Sequence, residues 1–180
     1  MKRIFTIGHS TRTLAEFAAL LKENGVVQIA DVRTVPRSRH VPQFNRETLP
    51  KSLEKYGVSY AHIPALGGLR KPEADSKNAG WRNASFRGYA DYMQTPGFEA
   101  GLKTLVEMSR KRTTAIMCAE AVPWRCHRSL IADALLARGI PVLDIIGKGN
   151  AKPHGMTPFA ETHGTRVTYP ASLRTSSRLP

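Results

Sequence analysis

Short apolar runs rich in β-branched residues alternate with longer segments of helical period along most of the chain, and that alternation constrains the fold more tightly than any other feature. "RIFTIG" (3–8) reads as a strand ending on a glycine, and "TLAEFAALLKENG" (13–25) as the helix that follows it. In that helix Leu14, Phe17, Ala18 and Leu21 recur at helical spacing, Thr13 stands at the N-cap and Gly25 at the C-cap. "VVQIADVR" (26–33) is a second strand, "NRETLPKSLEKYG" (45–57) a short helix with a proline near its start, and "VSYAHIP" (58–64) a third strand. Residues 65–85 hold glycines and a proline without sustained period, which predicts a long loop. Two helices broken around "TPG" follow over 86–111, then a buried strand "TTAIMC" (113–118), a helix "CHRSLIADALLARG" (126–139) and a buried strand "PVLDIIG" (141–147).

Strands separated by helices pair in parallel and bury both faces. The expected fold is therefore α/β, a three-layer sandwich with a mostly parallel central sheet flanked by helices, Rossmann-like. Residues 1–170 are expected to form one domain, with "TRVTYP" (165–170) as an edge strand and 171–180 as a basic, frayed tail. No apolar run approaches the ~20 residues that span a bilayer, so no membrane partner is expected. The opening "MKRIFTIGHS" does not read as a secretory signal, and two cysteines make no disulfide framework, so a reduced cytoplasmic setting is the expectation. The 27 Lys+Arg against 14 Asp+Glu give a net charge of +13, which points to a polyanionic or phosphorylated partner, a nucleotide or nucleic acid. A solvated basic surface is the plainer alternative.

In open parallel sheets ligands bind beyond the carboxyl ends of the strands. Here those ends carry chemistry: His9 and Ser10 after the first strand, Asp31 and Arg33 at the second, Gly67 and Gly68 beyond the third, Cys118 and Glu120 at the fourth. Asp31 and Arg33 share one side of their strand, as a catalytic pair or as an ion pair satisfied between themselves. The loop after them adds Arg37, Arg39 and His40. The "LGG" turn permits close approach of a ligand to backbone, or is an ordinary tight turn.

"MCAEAVPWRCHRSLIADALL" (117–136) concentrates thiols, a carboxylate, an imidazole and guanidiniums before it turns apolar. Seven residues separate Cys118 from Cys126, outside the spacing of structural zinc sites, so no metal is expected; the cofactor is left open. Six residues between Cys118 and Arg125, none of them glycine, do not make a phosphatase-type cysteine loop. Cys126, beside His127 and Arg128 near a helix start, is either a reactive thiol or core packing. Glu120 just past a buried strand calls for a cation or a catalytic task, with Arg128 as the expected partner.

"IGHS", "DVRTVPRSR", "FN", "LGG", "WRNASFRGYADYM" and "MCAEAVPWRCHRSLIADAL", with "PHGMTPFA" near the end, resemble the motifs of the domain of unknown function 488 family. Gly155 stands where that family's ending more usually has a proline. The resemblance implies an α/β three-layer domain of bacterial or archaeal type and no particular activity. It places the family's motif positions at His9, Ser10, Asp31, Arg33, Gly67, Gly68, Tyr89, Cys118, Glu120, Cys126, His127 and Arg128.

The expected function is that of an enzyme acting on a phosphate-bearing substrate. Glu120, Asp31 and His9 are its catalytic candidates; Ser10, Arg33, Gly67, Gly68, Cys118, Cys126, His127 and Arg128 are its substrate-binding candidates. The alternative is a non-catalytic nucleotide or nucleic-acid binding module, with Trp81, Phe86 and Tyr89 interleaved with Arg82 and Arg87 as stacking and phosphate contacts, or as a hydrophobic anchor for the long loop.

Overall fold

The computed structural model describes residues 3–149 and 151–171. A strand β1 (Ile4–Gly8) leads through helix α1 (Leu14–Glu23) to β2 (Gln28–Asp31), and helix α2 (Leu49–Glu54) leads to β3 (Ser59–His62). Helices α3 (Ala84–Tyr92) and α4 (Pro96–Lys111) precede β4 (Thr114–Cys118), and α5 (Arg128–Leu136) precedes β5 (Val142–Ile145). A short β6 (Lys152–Pro153) and the pair β7 (Glu161–His163) and β8 (Arg166–Thr168) follow.

The main sheet runs β3-β2-β4-β1-β5-β6, parallel except for the antiparallel β6. Period-two alternation divides its core between two faces. Phe5, Ile7, Ile29, Ala115, Met117 and Ile145 pack with Phe17 and Leu21 of α1 and Leu49 and Leu53 of α2. Ile4, Ala30, Val32, Ile116 and Val142 pack with Tyr89, Phe98 and Leu102 of α3 and α4 and with Leu130, Ile131 and Leu135 of α5. This is the three-layer, Rossmann-like sandwich that the alternation predicts.

Helix α1 begins where the sequence places it: Thr13 accepts from the Glu16 amide, and the Glu16 carboxylate accepts from the Thr13 amide, a complete capping box. Its C-cap is Asn24, with Gly25 next in line at φ 65°. "TRVTYP" does not join the main sheet. Its residues 166–168 pair with β7 in a separate two-stranded sheet, and the edge of the main sheet is β6. Of the expected tail at 171–180, residues 172–180 lie outside the described residues. Among the described residues no helix is long and apolar enough to cross a membrane.

The strand order fixes where a ligand can enter. The connections leaving β1 and β2 run toward the β3 edge, whereas the one leaving β4 runs toward β5. The carboxyl end of β4 is thus flanked on both sides by strands whose outgoing chain turns the other way, which opens a crevice there.

Candidate functional site

The crevice is a cleft of about 450 Å³ lined by Arg33 and Thr34 beyond β2, Gly68 and Leu69 beyond β3, Phe86 of α3, and Cys118, Glu120, Arg125, Cys126 and His127 around the β4–α5 loop. That loop is held down at two points. The amides of His9 and Ser10 donate to the carbonyls of Cys118 (3.0 Å) and Ala119 (2.8 Å), which extends the β1–β4 pairing past the strands. Arg128, fully buried, donates from Nη2 to the Glu120 carbonyl at 2.6 Å. Arg128 therefore grips the backbone of Glu120, and the expected Arg128–carboxylate pair is not formed. The Glu120 side chain is left exposed at the cleft.

Arg33 is buried and almost fully engaged. Its Nε and Nη2 donate to Asp31 (2.9 and 2.6 Å), Nη2 also donates to the Phe44 carbonyl (2.8 Å), and Nη1 meets His9 Nε2 at 3.2 Å. The His9 Nδ1–H donates to the Ser10 carbonyl at 2.9 Å, which leaves Nε2 free to accept from Arg33. Tyr60 on β3 donates its hydroxyl to Asp31 at 2.7 Å. Of the five guanidinium N–H groups, one on Nη1 is left unengaged by these contacts. The ring of His9 stacks on Phe44 at 4.5 Å, and burial pushes its pKa down to about 4, so it is neutral at physiological pH. Burial likewise raises the Tyr60 hydroxyl, helped by the Asp31 charge.

His127 is held by a hydrogen bond from Nε2–H to the Val32 carbonyl (2.9 Å) and by Tyr89, whose ring lies 5.0 Å away. Burial, against the pull of that carbonyl, lowers its pKa to about 4. The "LGG" glycines serve this packing: a Cβ on Gly68 would sit 2.4 Å from His127 Nδ1, and one on Gly67 2.7 Å from Thr34 Oγ1. Cys118 and Cys126 bring their sulfurs into contact at the cleft, with their Cα atoms 7.6 Å apart.

The candidates thus divide. Arg33, Gly68, Cys118, Glu120, Cys126 and His127 converge on the cleft. Asp31, His9 and Arg128 stand behind it, and Gly67 is buried against Thr34. Ser10 does not line the cleft; its φ of 48° makes it the one non-glycine in the left-handed region among the described residues. Arg37 and Arg39 are exposed, and Arg37 lies 3.6 Å from Glu47. Trp81 and Phe86 stack on each other at 4.7 Å, with Phe159 and Tyr169 against Trp81, and Tyr89 is fully buried with its hydroxyl on the Leu66 carbonyl. The loop aromatics anchor the loop. Sequence reasoning missed Tyr60 and Phe44 as partners of Arg33 and Asp31, and Thr34 as a lining residue; only the resemblance, through "FN", pointed near Phe44. Among the described residues no cluster of three or more His, Cys, Asp or Glu could hold a metal ion.

Fold and cleft together define a doubly wound α/β protein with a crevice at the switch point of its sheet, lined by two arginines, a glutamate, a histidine and two cysteines. The chain belongs to the family described as Domain of unknown function DUF488, whose model matches residues 13–135. No curated protein and no solved structure matches the chain significantly. The matched range takes in every strand-end candidate except His9 and Ser10.

Proposed function

We propose that the cleft is the active site of an enzyme acting on a phosphate-bearing substrate, a nucleotide or a nucleic-acid strand. The observation that carries this reading is the company Glu120 keeps: it is the one carboxylate on the cleft lining, and Arg33 and Arg125 share that lining. Two arginines on one lining, Arg125 exposed and Arg33 paired with Asp31, suit phosphate oxygens, and a solvent-reachable carboxylate beside them suits an acid or base. Asp31 and His9 act as positioning residues here, since their contacts fix the Arg33 guanidinium with one N–H to spare. Arg128 positions Glu120 through its backbone.

The test is turnover of phosphate esters and nucleotides by the wild type and by Glu120→Gln, with binding of the same compounds followed by calorimetry. Glu120→Gln is expected to bind substrate and lose turnover by about 10²-fold or more, with unchanged thermal stability. Equal activity of the two proteins would remove Glu120 from the reaction.

One observation favours a second reading, a binding module without chemistry. Arg39, His40 and Arg46 are exposed near the cleft-side loop after β2, on a chain of net charge +13. That reading predicts affinity for single-stranded oligonucleotides that falls steeply with salt, and no turnover by the wild type.

A further inference from the structure

The proposed reaction leaves the cysteine pair unused, although both sulfurs line the cleft. Cys118 ends β4, and Cys126 closes the turn Pro123–Arg125 by donating its amide to the Pro123 carbonyl at 2.9 Å. The Val32 carbonyl takes the Nε2–H of His127, so the lone pair of Nδ1 is the group that faces Cys126 Sγ, at 3.6 Å. Gly68 and Tyr89 hold the imidazole in that orientation. Arg125 lines the same cavity and favours a thiolate over a thiol, with the Glu120 carboxylate of that lining opposing it, while Asp31 neutralises Arg33. A sulfur partner, a base aimed at one sulfur and an arginine at the opening are parts that thiol–disulfide exchange uses.

We propose that Cys118 and Cys126 are a dithiol–disulfide couple that exchanges with a small anionic disulfide entering the cleft. The pKa of about 4 belongs to the oxidised pair; in the reduced form the negative charge forming on Cys126 Sγ, 3.6 Å away, raises the basicity of His127. Cys126 then gives its proton to His127 Nδ1, and its thiolate attacks one sulfur of the substrate disulfide. A mixed disulfide forms, and the first substrate thiolate leaves with the proton from His127. Cys118 then loses its proton to His127 and attacks Cys126 Sγ, and the second substrate thiolate leaves with that proton. In sum two cysteine thiols lose two electrons and two protons, and one substrate disulfide becomes two thiols. The reverse direction reduces the pair. This inference concerns the same cleft as the phosphate reading and does not depend on it.

The full chain equilibrated in glutathione buffers of graded composition, quenched with an alkylating agent and read by intact mass, tests it. The wild type is expected to pass between fully alkylated and unalkylated forms in one two-electron step. Cys118→Ser is expected to accumulate a glutathione mixed disulfide at Cys126, and Cys126→Ser at least about tenfold less at Cys118. His127→Asn, in the same buffers, is expected to slow alkylation of Cys126 across neutral pH by about tenfold. Independent oxidation of the two cysteines, or glutathione adding equally to either variant, overturns the proposal. Should Cys118→Ser fail to fold, the wild-type titration alone decides. A chain that hydrolyses phosphate esters and ignores glutathione overturns this proposal and spares the former, and the converse result does the opposite.

Discussion

Arg128 is the largest fully buried side chain, and it has no carboxylate in hydrogen-bonding contact. Burial lowers its pKa to about 10, opposed by Asp144, so it stays charged at neutral pH. Its Nε lacks a partner, Nη1 lies 3.5 Å from Thr6 Oγ1, and Nη2 alone makes a short bond, to the Glu120 carbonyl. Two effects of comparable size therefore oppose each other. Removing the guanidinium relieves the desolvation of a buried charge, which in other buried ions has been neutral or favourable. It also frees the Glu120 carbonyl, at about 1 kcal/mol. Arg128→Met, which keeps the stem, is expected to change the unfolding free energy by less than about 1 kcal/mol, whereas Arg128→Ala opens a cavity and loses roughly 3 kcal/mol. In Arg128→Met the Ser10 amide, bonded to Ala119 in the same loop, is expected to lose protection from hydrogen exchange. Urea titrations of both variants check the first expectation; equal losses would mean that the polar contacts outweigh the volume.

At the scale of elements, β1 and the β4–α5 loop constrain each other through a glycine. A Cβ on Gly8 would stand 1.7 Å from the Glu120 carbonyl oxygen and 3.0 Å from the Ala121 Cα, both backbone atoms that no rotamer change can move. Gly8→Ala is expected to cost about 3 kcal/mol or more, through displacement of the loop. Gly147→Ala, where a Cβ meets nothing within 4 Å, is the control and is expected to stay within about 0.5 kcal/mol. Urea unfolding of the two variants separates them. Gly8 also shows what was legible in advance. Its place at a strand end followed from the local pattern, as did the five parallel strands, the Thr13 N-cap and the break between α3 and α4. The strand-end rule also brought forward Arg33, Cys118, Glu120 and Gly68, because the carboxyl edge of a parallel sheet gathers them wherever the helices go. The contact between Gly8 and a loop more than a hundred residues away had no local signal. Nor had the closing of Tyr60, Asp31, Arg33 and His9 on one another, which depends on β3 pairing beside β2, with Asp31 opposite His62. The two- and three-residue strands β6, β7 and β8 are too short to show a period, which is why "TRVTYP" reads as an edge strand.

For the whole molecule, three histidines set how stability varies with pH. His154 lies between two carboxylates, its Nδ1 2.8 Å from Asp144 and its Nε2 3.5 Å from Asp133. Asp133 also accepts from the Tyr169 hydroxyl and the Thr157 amide, and Asp144 from Thr6, so this cluster ties residues 154–169 to β1, β5 and α5. Burial works against the His154 charge, but the two aspartates outweigh it and raise its pKa to about 9 from an ordinary 6.5. A group raised in the folded state contributes fully below its unfolded pKa, so the His154 share is present below 6.5 and is lost as pH rises through about 9. His9 and His127 do the opposite: with pKa values lowered to about 4, their share is present above 6.5 and is lost as pH falls through 4. Each shift is on the order of 2 kcal/mol once solvent screening is allowed for. Stability from these three groups therefore peaks near pH 6.5, with two protons taken up on the acid side and one released on the alkaline side. The rising positive charge of a chain already at +13 steepens the acid arm further. Urea unfolding from pH 4.5 to 9.5 is expected to trace this asymmetric dome, and His154→Gln is expected to flatten its alkaline arm without changing the acid one. A wild-type curve level from 6.5 to 9 would show that the contacts of His154 hold the C-terminal segment as well without its charge as with it.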